Sequence, residues 1–181
     1  MKEILIITGS PRKGGNSDRM AWAFAEGARE KGHAVSFFEA GKKEVLACIG
    51  CNTCFTKGQA CSFDDDFREM APLLEKADVV VFCTPLYYYS FPGKMKTALD
   101  KIYAFLVGKR DLRGKECLLL ACGYGHRENE FDALSLLYDL IWQGLGWKDL
   151  GRLLVRKALR LGDIEKTDGL VKAKEMGRRI S

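Results

Sequence analysis

The chain has 181 residues, 47% of them apolar, which is enough for one substantial core and too few for two ordinary domains, so a single domain over residues 1–181 is expected. The formal net charge of +5 comes from lysines and arginines spread along the chain, which argues against nucleic acid as a partner; the densest basic stretch, Arg152 to Arg160, and the pair Arg178 and Arg179 read as solvated faces. The apolar run at Ile4–Ile7 is too short for a signal peptide, and no later run nears the roughly 18 residues of a membrane span, so no membrane partner and a cytoplasmic location are expected.

In chain order, Ile4 to Thr8 reads as a buried strand. Met20, Phe24 and Ala28 follow at four-residue spacing with Ala21 and Ala25 beside them, giving a first helix one buried stripe that ends near Gly32. Val35 and Phe37 beside Ser36 and Glu39 suggest a less buried strand at a sheet edge. The connection from Gly41 to Asp78 takes about forty residues, of which Phe67 to Lys76 look helical and about 44–66 form a cysteine-rich inserted loop. Val79 to Cys83 and Leu118 to Cys122 are two more apolar strands, and Leu150 to Val155 is the last. Met95, Leu99, Ile102 and Leu106 mark one helix; Leu134, Leu137, Tyr138 and Ile141 another, stopped at Gly144 and Gly146; Leu170, Ala173 and Ile180 the inner face of a closing helix. Strands alternating with helices predict an α/β fold, a doubly wound five-stranded parallel sheet in order 2-1-3-4-5 with helices on both faces.

The turn after the first strand, Gly9-Ser10-Pro11-Arg12-Lys13-Gly14-Gly15-Asn16-Ser17, aims unpaired N–H groups and a positive helix end at one point, which suits a phosphate. Ser10 and Ser17 can add hydroxyl donors, Asn16 an amide and Arg12 a charged fork. The plainer reading is a glycine-rich turn in which Asn16 or Ser17 is an ordinary N-cap. Walker A is excluded because its lysine would fall at Gly15 or Asn16, and no G-x-G-x-x-G occurs here.

The run Gly-Ser-Pro-Arg followed by Asn16-Ser17 resembles the phosphate loop of the NAD(P)H-dependent FMN reductase family of flavodoxin-like proteins. By that resemblance Ser10, Arg12, Asn16 and Ser17 hold the FMN phosphate. The stretch Thr84-Pro85-Leu86-Tyr87-Tyr88-Tyr89-Ser90-Phe91-Pro92-Gly93 is similar to the family's flavin-ring loop, so the resemblance places Pro85, Leu86, Tyr87 and Tyr88 along the isoalloxazine. A flat apolar ring needs such aromatic and aliphatic walls, although three tyrosines in a row also fit a half-buried strand end or a subunit contact. A third loop, Cys122-Gly123-Tyr124-Gly125-His126, adds Gly123 and Tyr124, whose neighbouring glycines permit close approach to the ring or ribityl chain. All three loops fall at carboxyl ends of central strands, where open α/β sheets bind ligands.

Cys48, Cys51, Cys54 and Cys61 stand in the spacing C-x2-C-x2-C-x6-C. Three thiolates so close wrap one side of an inorganic cluster and a fourth completes it, whereas structural zinc more often uses two separated pairs. The spacing resembles the iron-sulfur flavoprotein branch of the family, which implies a [4Fe-4S] cluster. Free thiols in an FMN-only protein, zinc and regulatory disulfides stay open. Cys83, Cys117 and Cys122 lie in strands and read as small buried hydrophobes; a phosphatase role for Cys122 fails because Arg127 is one residue too close for C-x5-R.

The resemblance implies an enzyme: an FMN-dependent oxidoreductase with NAD(P)H as co-substrate, passing electrons to a small-molecule or redox-protein acceptor. No acid or base residue is then obligatory, and His126 is either a donor to flavin or acceptor or a surface histidine. The alternatives are an electron carrier reduced by a partner protein and a redox-sensing flavin module. Relatives imply a homodimer or homotetramer, which this sequence supports through Trp142, Trp147 and the tyrosine run, all of which also fit a core.

Overall fold

The computed structural model describes residues 1–125 and 127–181. Five strands, β1 (Glu3–Thr8), β2 (Ala34–Phe38), β3 (Val79–Pro85), β4 (Glu116–Cys122) and β5 (Lys148–Val155), form a parallel sheet in order β2-β1-β3-β4-β5. Helices α1 (Asn16–Glu30), α2 (Phe67–Lys76), α3 (Gly93–Asp100), α4 (Tyr103–Val107), α5 (Asp132–Leu145) and α6 (Gly169–Arg178) connect and close it. The direction of winding reverses between β1 and β3, which opens a crevice at their carboxyl ends.

The alternation of side chains along each central strand builds two cores. Leu5, Ile7, Val80, Phe82, Leu119 and Ala121 face α2, α3, α4 and α5, whereas Ile4, Ile6, Val81, Cys83, Leu118 and Leu120 face α1 and α6. Helices α1 and α6 touch backbone to backbone: a Cβ on Gly27 would lie 2.0 Å from the Lys174 carbonyl oxygen, and one on Gly177 2.1 Å from that of Phe24. At β5 the pairing with β4 slips between Cys117 and Leu119, and Gly151, at φ +115, forms the bulge.

The strands and their order match the sequence reading, with local differences at the ends of elements: β3 runs on to Pro85 and β4 starts at Glu116, each two residues beyond the apolar run. β5 starts two residues earlier than expected, at Lys148. Gly144 lies inside α5, and Gly146 alone takes the left-handed conformation that ends it. The single helix expected through Met95 and Leu106 is two, because at Lys101 and Ile102 the chain tightens into three-residue turns, with Ile102 N–H donating to Leu99 O at 3.0 Å and Ala104 N–H to Lys101 O at 2.9 Å. Lys101 turns inward there to reach Asp65, which breaks the periodic stripe.

Candidate functional site

β1 delivers the chain into the crevice at Gly9, whose N–H donates to Cys83 O at 2.9 Å. Glycine is required by packing: a Cβ would lie 2.7 Å from Met95 Sδ and 2.8 Å from Thr84 Oγ1. The following turn folds on itself, Ser10 Oγ accepting from Arg12 N–H at 3.1 Å and Gly15 N–H donating to Arg12 O at 3.1 Å. α1 begins at Asn16 without a side-chain cap, so its first-turn N–H groups face the crevice free of intrahelical partners. Beside them Ser17 Oγ, on a residue 1% exposed, has no hydrogen-bond partner of good geometry; only the Cys122 thiol, which it draws down against the effect of burial, keeps it company. A buried hydroxyl with only a thiol beside it is poorly satisfied, and an anion at this helix end would relieve it.

Asn16 has another task. Its amide Nδ2 donates to Ala158 O at 3.0 Å and Arg160 O at 2.8 Å, while Oδ1 accepts from Gly162 N–H at 3.1 Å and Ile164 N–H at 3.4 Å. The side chain therefore latches the segment after β5 onto the cradle and leaves the backbone N–H as its contribution to an anion. Asp18, one turn in, is buried; that burial holds its carboxyl above the ordinary range against the pull of Lys42, whose Nζ lies 3.3 Å from Oδ2.

The opposite wall comes from the β3 and β4 loops. Leu86 N–H donates to Cys122 O at 2.8 Å, and Gly123 must be glycine because a Cβ would stand 2.9 Å from Leu86 Cβ. Tyr87 and Ser90 exchange two backbone bonds, of 3.1 and 3.0 Å, closing a tight turn in which Tyr88 (φ 45) and Tyr89 (φ 66) are both left-handed. Tyr88 is 99% exposed at the tip of that turn and lies outside the cleft.

The other flavin candidates come together. Ser10, Arg12, Asn16, Ser17, Pro85, Leu86, Tyr87, Gly123 and Tyr124 line one cleft of about 140 Å³, with Gly15 and Cys122. Ala158, Leu159 and Leu161 complete it, residues that sequence reasoning missed. Their signal was two exposed leucines in a basic stretch, 55% and 64% accessible. His126 lies outside the described residues.

The inserted loop gathers its cysteines. Cys48, Cys51, Cys54 and Cys61 line a second, tight cavity of about 20 Å³ whose floor is Lys101, Tyr103 and Ala104 from the α3–α4 bend. Left-handed Gly50, Asn52 and Phe55 curl the loop, and Tyr103 OH donates to Asn52 Oδ1 at 3.0 Å. The Thr53 hydroxyl and N–H pull the Cys51 thiol down, whereas burial and then the neighbouring Cys61, Cys51 and Cys48 push Cys54 up. All four are free thiols, and among the described residues no three Cys, His, Asp or Glu side chains converge on one ion. The strand cysteines are buried and protonated: burial pushes Cys117 up to about 11 and Cys122 up to about 12. Cys83 is raised too, and its thiol donates to Ser17 O at 3.1 Å.

Against this geometry, the model of the NADPH-dependent FMN reductase family matches residues 2–152. The chain belongs to that family. Within the family it is similar to an iron-sulfur flavoprotein of Methanocaldococcus jannaschii, 31% identical over 76% of this chain and 69% of that protein. An iron-sulfur flavoprotein of Archaeoglobus fulgidus is 36% identical over 64% of this chain and 51% of its own length, so the chain spans about half of that relative. Among solved structures, the NAD(P)H:quinone oxidoreductase from Methanothermobacter marburgensis superposes with a TM-score of 0.77 at 18% identity, covering 98% of this chain and 95% of that one. An FMN-dependent NADH-azoreductase from Bacillus anthracis, in complex with FMN, gives 0.69 at 15% identity over 99% of both chains. These two likenesses show the flavodoxin-like fold. Among the described residues no helix is long and apolar enough to cross a membrane.

Proposed function

We propose that this family member holds FMN in the cleft at the β1–β3 switch point, takes hydride from NAD(P)H and passes the electrons to a separate acceptor, with a [4Fe-4S] cluster in the cysteine loop. The observation that carries the reading is the buried Ser17 hydroxyl, with no partner better than the Cys122 thiol, beside the open first turn of α1 in one cleft with Pro85, Leu86 and Tyr87. Bound there, FMN supplies reversible hydride and electron chemistry, and a cluster supplies single-electron transfer.

The chain's own residues bind and orient. Ser17 Oγ and the α1 N–H groups donate to the phosphate while Arg12, exposed at the rim, adds charge. Asn16 keeps Ala158, Leu159 and Leu161 over the cleft, where the leucines exclude water. Tyr87 and Tyr124, each about half exposed, flank the opening at which a nicotinamide or acceptor ring can stack. In the loop, Cys48, Cys51, Cys54 and Cys61 would hold the cluster, because four thiols border one common cavity, which has to widen to admit it.

The test is an absorption spectrum with iron and sulfide assays on protein purified without oxygen. A yellow-brown sample with about one FMN and about four iron atoms per chain is expected; a folded, colourless sample that takes up no added FMN sinks the reading. The resemblance to iron-sulfur flavoproteins favours a second reading, an electron carrier reduced by a protein partner. Stopped-flow mixing with NADH and NADPH separates them: flavin bleaching supports the reductase, and none with either supports the carrier.

A further inference from the structure

Beneath the cysteine loop lies a buried ion pair that the flavin cleft does not use. The Lys101 side chain is 1% exposed and that of Asp65 3%. Asp65 Oδ2 accepts the Lys101 ammonium and also the Leu46 N–H at 2.8 Å, and Oδ1 accepts the Phe67 N–H at 3.0 Å. One carboxylate thus fastens the entry of the loop, the start of α2 and the α3–α4 bend to each other. The ammonium also lies over the rings of Phe63 and Phe67, 5.2 and 5.8 Å from their centroids.

The two charges are not placed alike. Lys101 lines the cavity that the four cysteines border, whereas Asp65 does not. Buried ion pairs recover their desolvation cost poorly, and apolar replacements are often neutral or stabilising. A pair kept at this wall therefore points to a role other than stability. Four thiolates around an iron-sulfur core form an anion whose negative charge grows by one on reduction, so a fixed cation at the wall favours the reduced form over the oxidised one.

We propose that Lys101 is a positioning residue that raises the reduction potential of the cluster in the cysteine loop, with Asp65 holding its ammonium against the cavity. The proposal rests on the cluster reading given above. It concerns the transfer of one electron, with no bond made or broken.

Three variants test it beside the wild type, all purified without oxygen, assayed for iron and titrated potentiometrically with EPR detection. Lys101→Gln keeps a donor for Asp65 and loses the charge; Lys101→Arg keeps the charge; Lys101→Met/Asp65→Asn removes the pair together, so that no lone buried charge threatens folding. With the cluster loaded, Lys101→Gln is expected to shift the ratio of oxidised to reduced cluster at least tenfold toward oxidised at a given potential, a drop of about 59 mV for one electron. The double variant should move the same way by less, and Lys101→Arg should stay near the wild type. An unchanged or higher midpoint in loaded Lys101→Gln, or an equal drop in Lys101→Arg, overturns the role of Lys101 while leaving the cluster reading intact. Absence of iron from the wild type overturns both.

Discussion

Tyr88 occupies a backbone conformation that opposes its side chain. At φ 45 it is left-handed, and Tyr89 at φ 66 is its partner in a two-residue turn that asparagine and glycine fill best. Left-handed φ costs an ordinary L-residue about 1–2 kcal/mol, a penalty that asparagine partly escapes. Because Tyr88 is 99% exposed, replacing it sacrifices no burial. Tyr88→Asn should therefore stabilise the FMN-free protein by about 0.5–1 kcal/mol. In a chain of this size that raises Tm by about 1–4 °C.

The neighbouring position should respond with the opposite sign. Tyr89 is 46% exposed, so about 100 Å² of its surface is covered. At about 25 cal/mol per Å² that burial contributes about 2.5 kcal/mol. Tyr89→Gly gives back about 1–2 kcal/mol of backbone strain but adds about 0.5–1 kcal/mol of chain entropy to the unfolded state, for a net loss of about 1–2.5 kcal/mol. Scanning calorimetry and urea unfolding of both variants measure the contrast. A fall in Tm for Tyr88→Asn would refute the reasoning, since the ring would then make a contact absent from the isolated chain; if that fall vanished on dilution, the contact would be with a second copy.

Ser17→Ala should have unequal effects on the two states of the protein. Removal of a buried hydroxyl whose only company is the Cys122 thiol leaves the FMN-free fold about as stable, while loss of a hydrogen bond to a charged phosphate weakens FMN binding about 10- to 100-fold, read by fluorescence titration. Asn16→Ala breaks four hydrogen bonds to residues 158–164 and should lower urea stability by about 2–4 kcal/mol, with faster amide exchange at Gly162 and Ile164. Asp18→Asn should raise Tm at pH 7. Because burial lifts this carboxyl above its unfolded value, its contribution is favourable below that value and is lost as pH rises through the folded one, so the advantage of asparagine should fade toward pH 3; an equal gain at both pH values would contradict the assignment. Cys51→Ser should retain FMN and abolish transfer to one-electron acceptors; unchanged turnover with them would remove the loop from the electron path.

Legibility in the sequence followed the range of the interactions involved. The strands at Val79–Cys83 and Leu118–Cys122 declare themselves because burial on both faces demands an unbroken apolar run, and their order follows from the alternation with helices. The glycine-rich turn from Gly9 to Ser17 was equally plain, being local. What was hidden depends on partners far along the chain. Asn16 looks like a cap or a phosphate ligand until residues 158–164 arrive 142 or more positions later to claim its amide. Likewise, the stripe Met95, Leu99, Ile102 and Leu106 predicts one helix, and only Asp65, 36 positions upstream, draws Lys101 inward and splits it. The resemblance places Tyr88 with Tyr87 along the flavin, yet the left-handed turn sends the two adjacent side chains to different surroundings, Tyr87 to the cleft and Tyr88 to solvent.

That split helix joins the two candidate sites mechanically. The segment from Thr84 to Ala104 begins in the cleft wall at Pro85, Leu86 and Tyr87 and ends in the floor of the cysteine cavity at Lys101, Tyr103 and Ala104. Between them α3, eight residues and so about 12 Å long, has few means of bending. Its Met95 packs against Gly9 at the mouth of the phosphate turn, and its last turn leads into the residue that holds Asp65. A change that shifts α3 along its axis must therefore disturb both sites, whereas one confined to the tip of the tyrosine turn should disturb neither. The glycine at position 9 is the sharpest probe of this coupling: with Met95 Sδ and Thr84 Oγ1 already 2.7 and 2.8 Å from where a Cβ would stand, Gly9→Ala pushes on those buried side chains and through them on α3 and the β3 end. Reduced FMN affinity together with altered iron content in that variant is the expected pairing, and a loss of FMN with the iron content untouched would show the two sites to be mechanically independent.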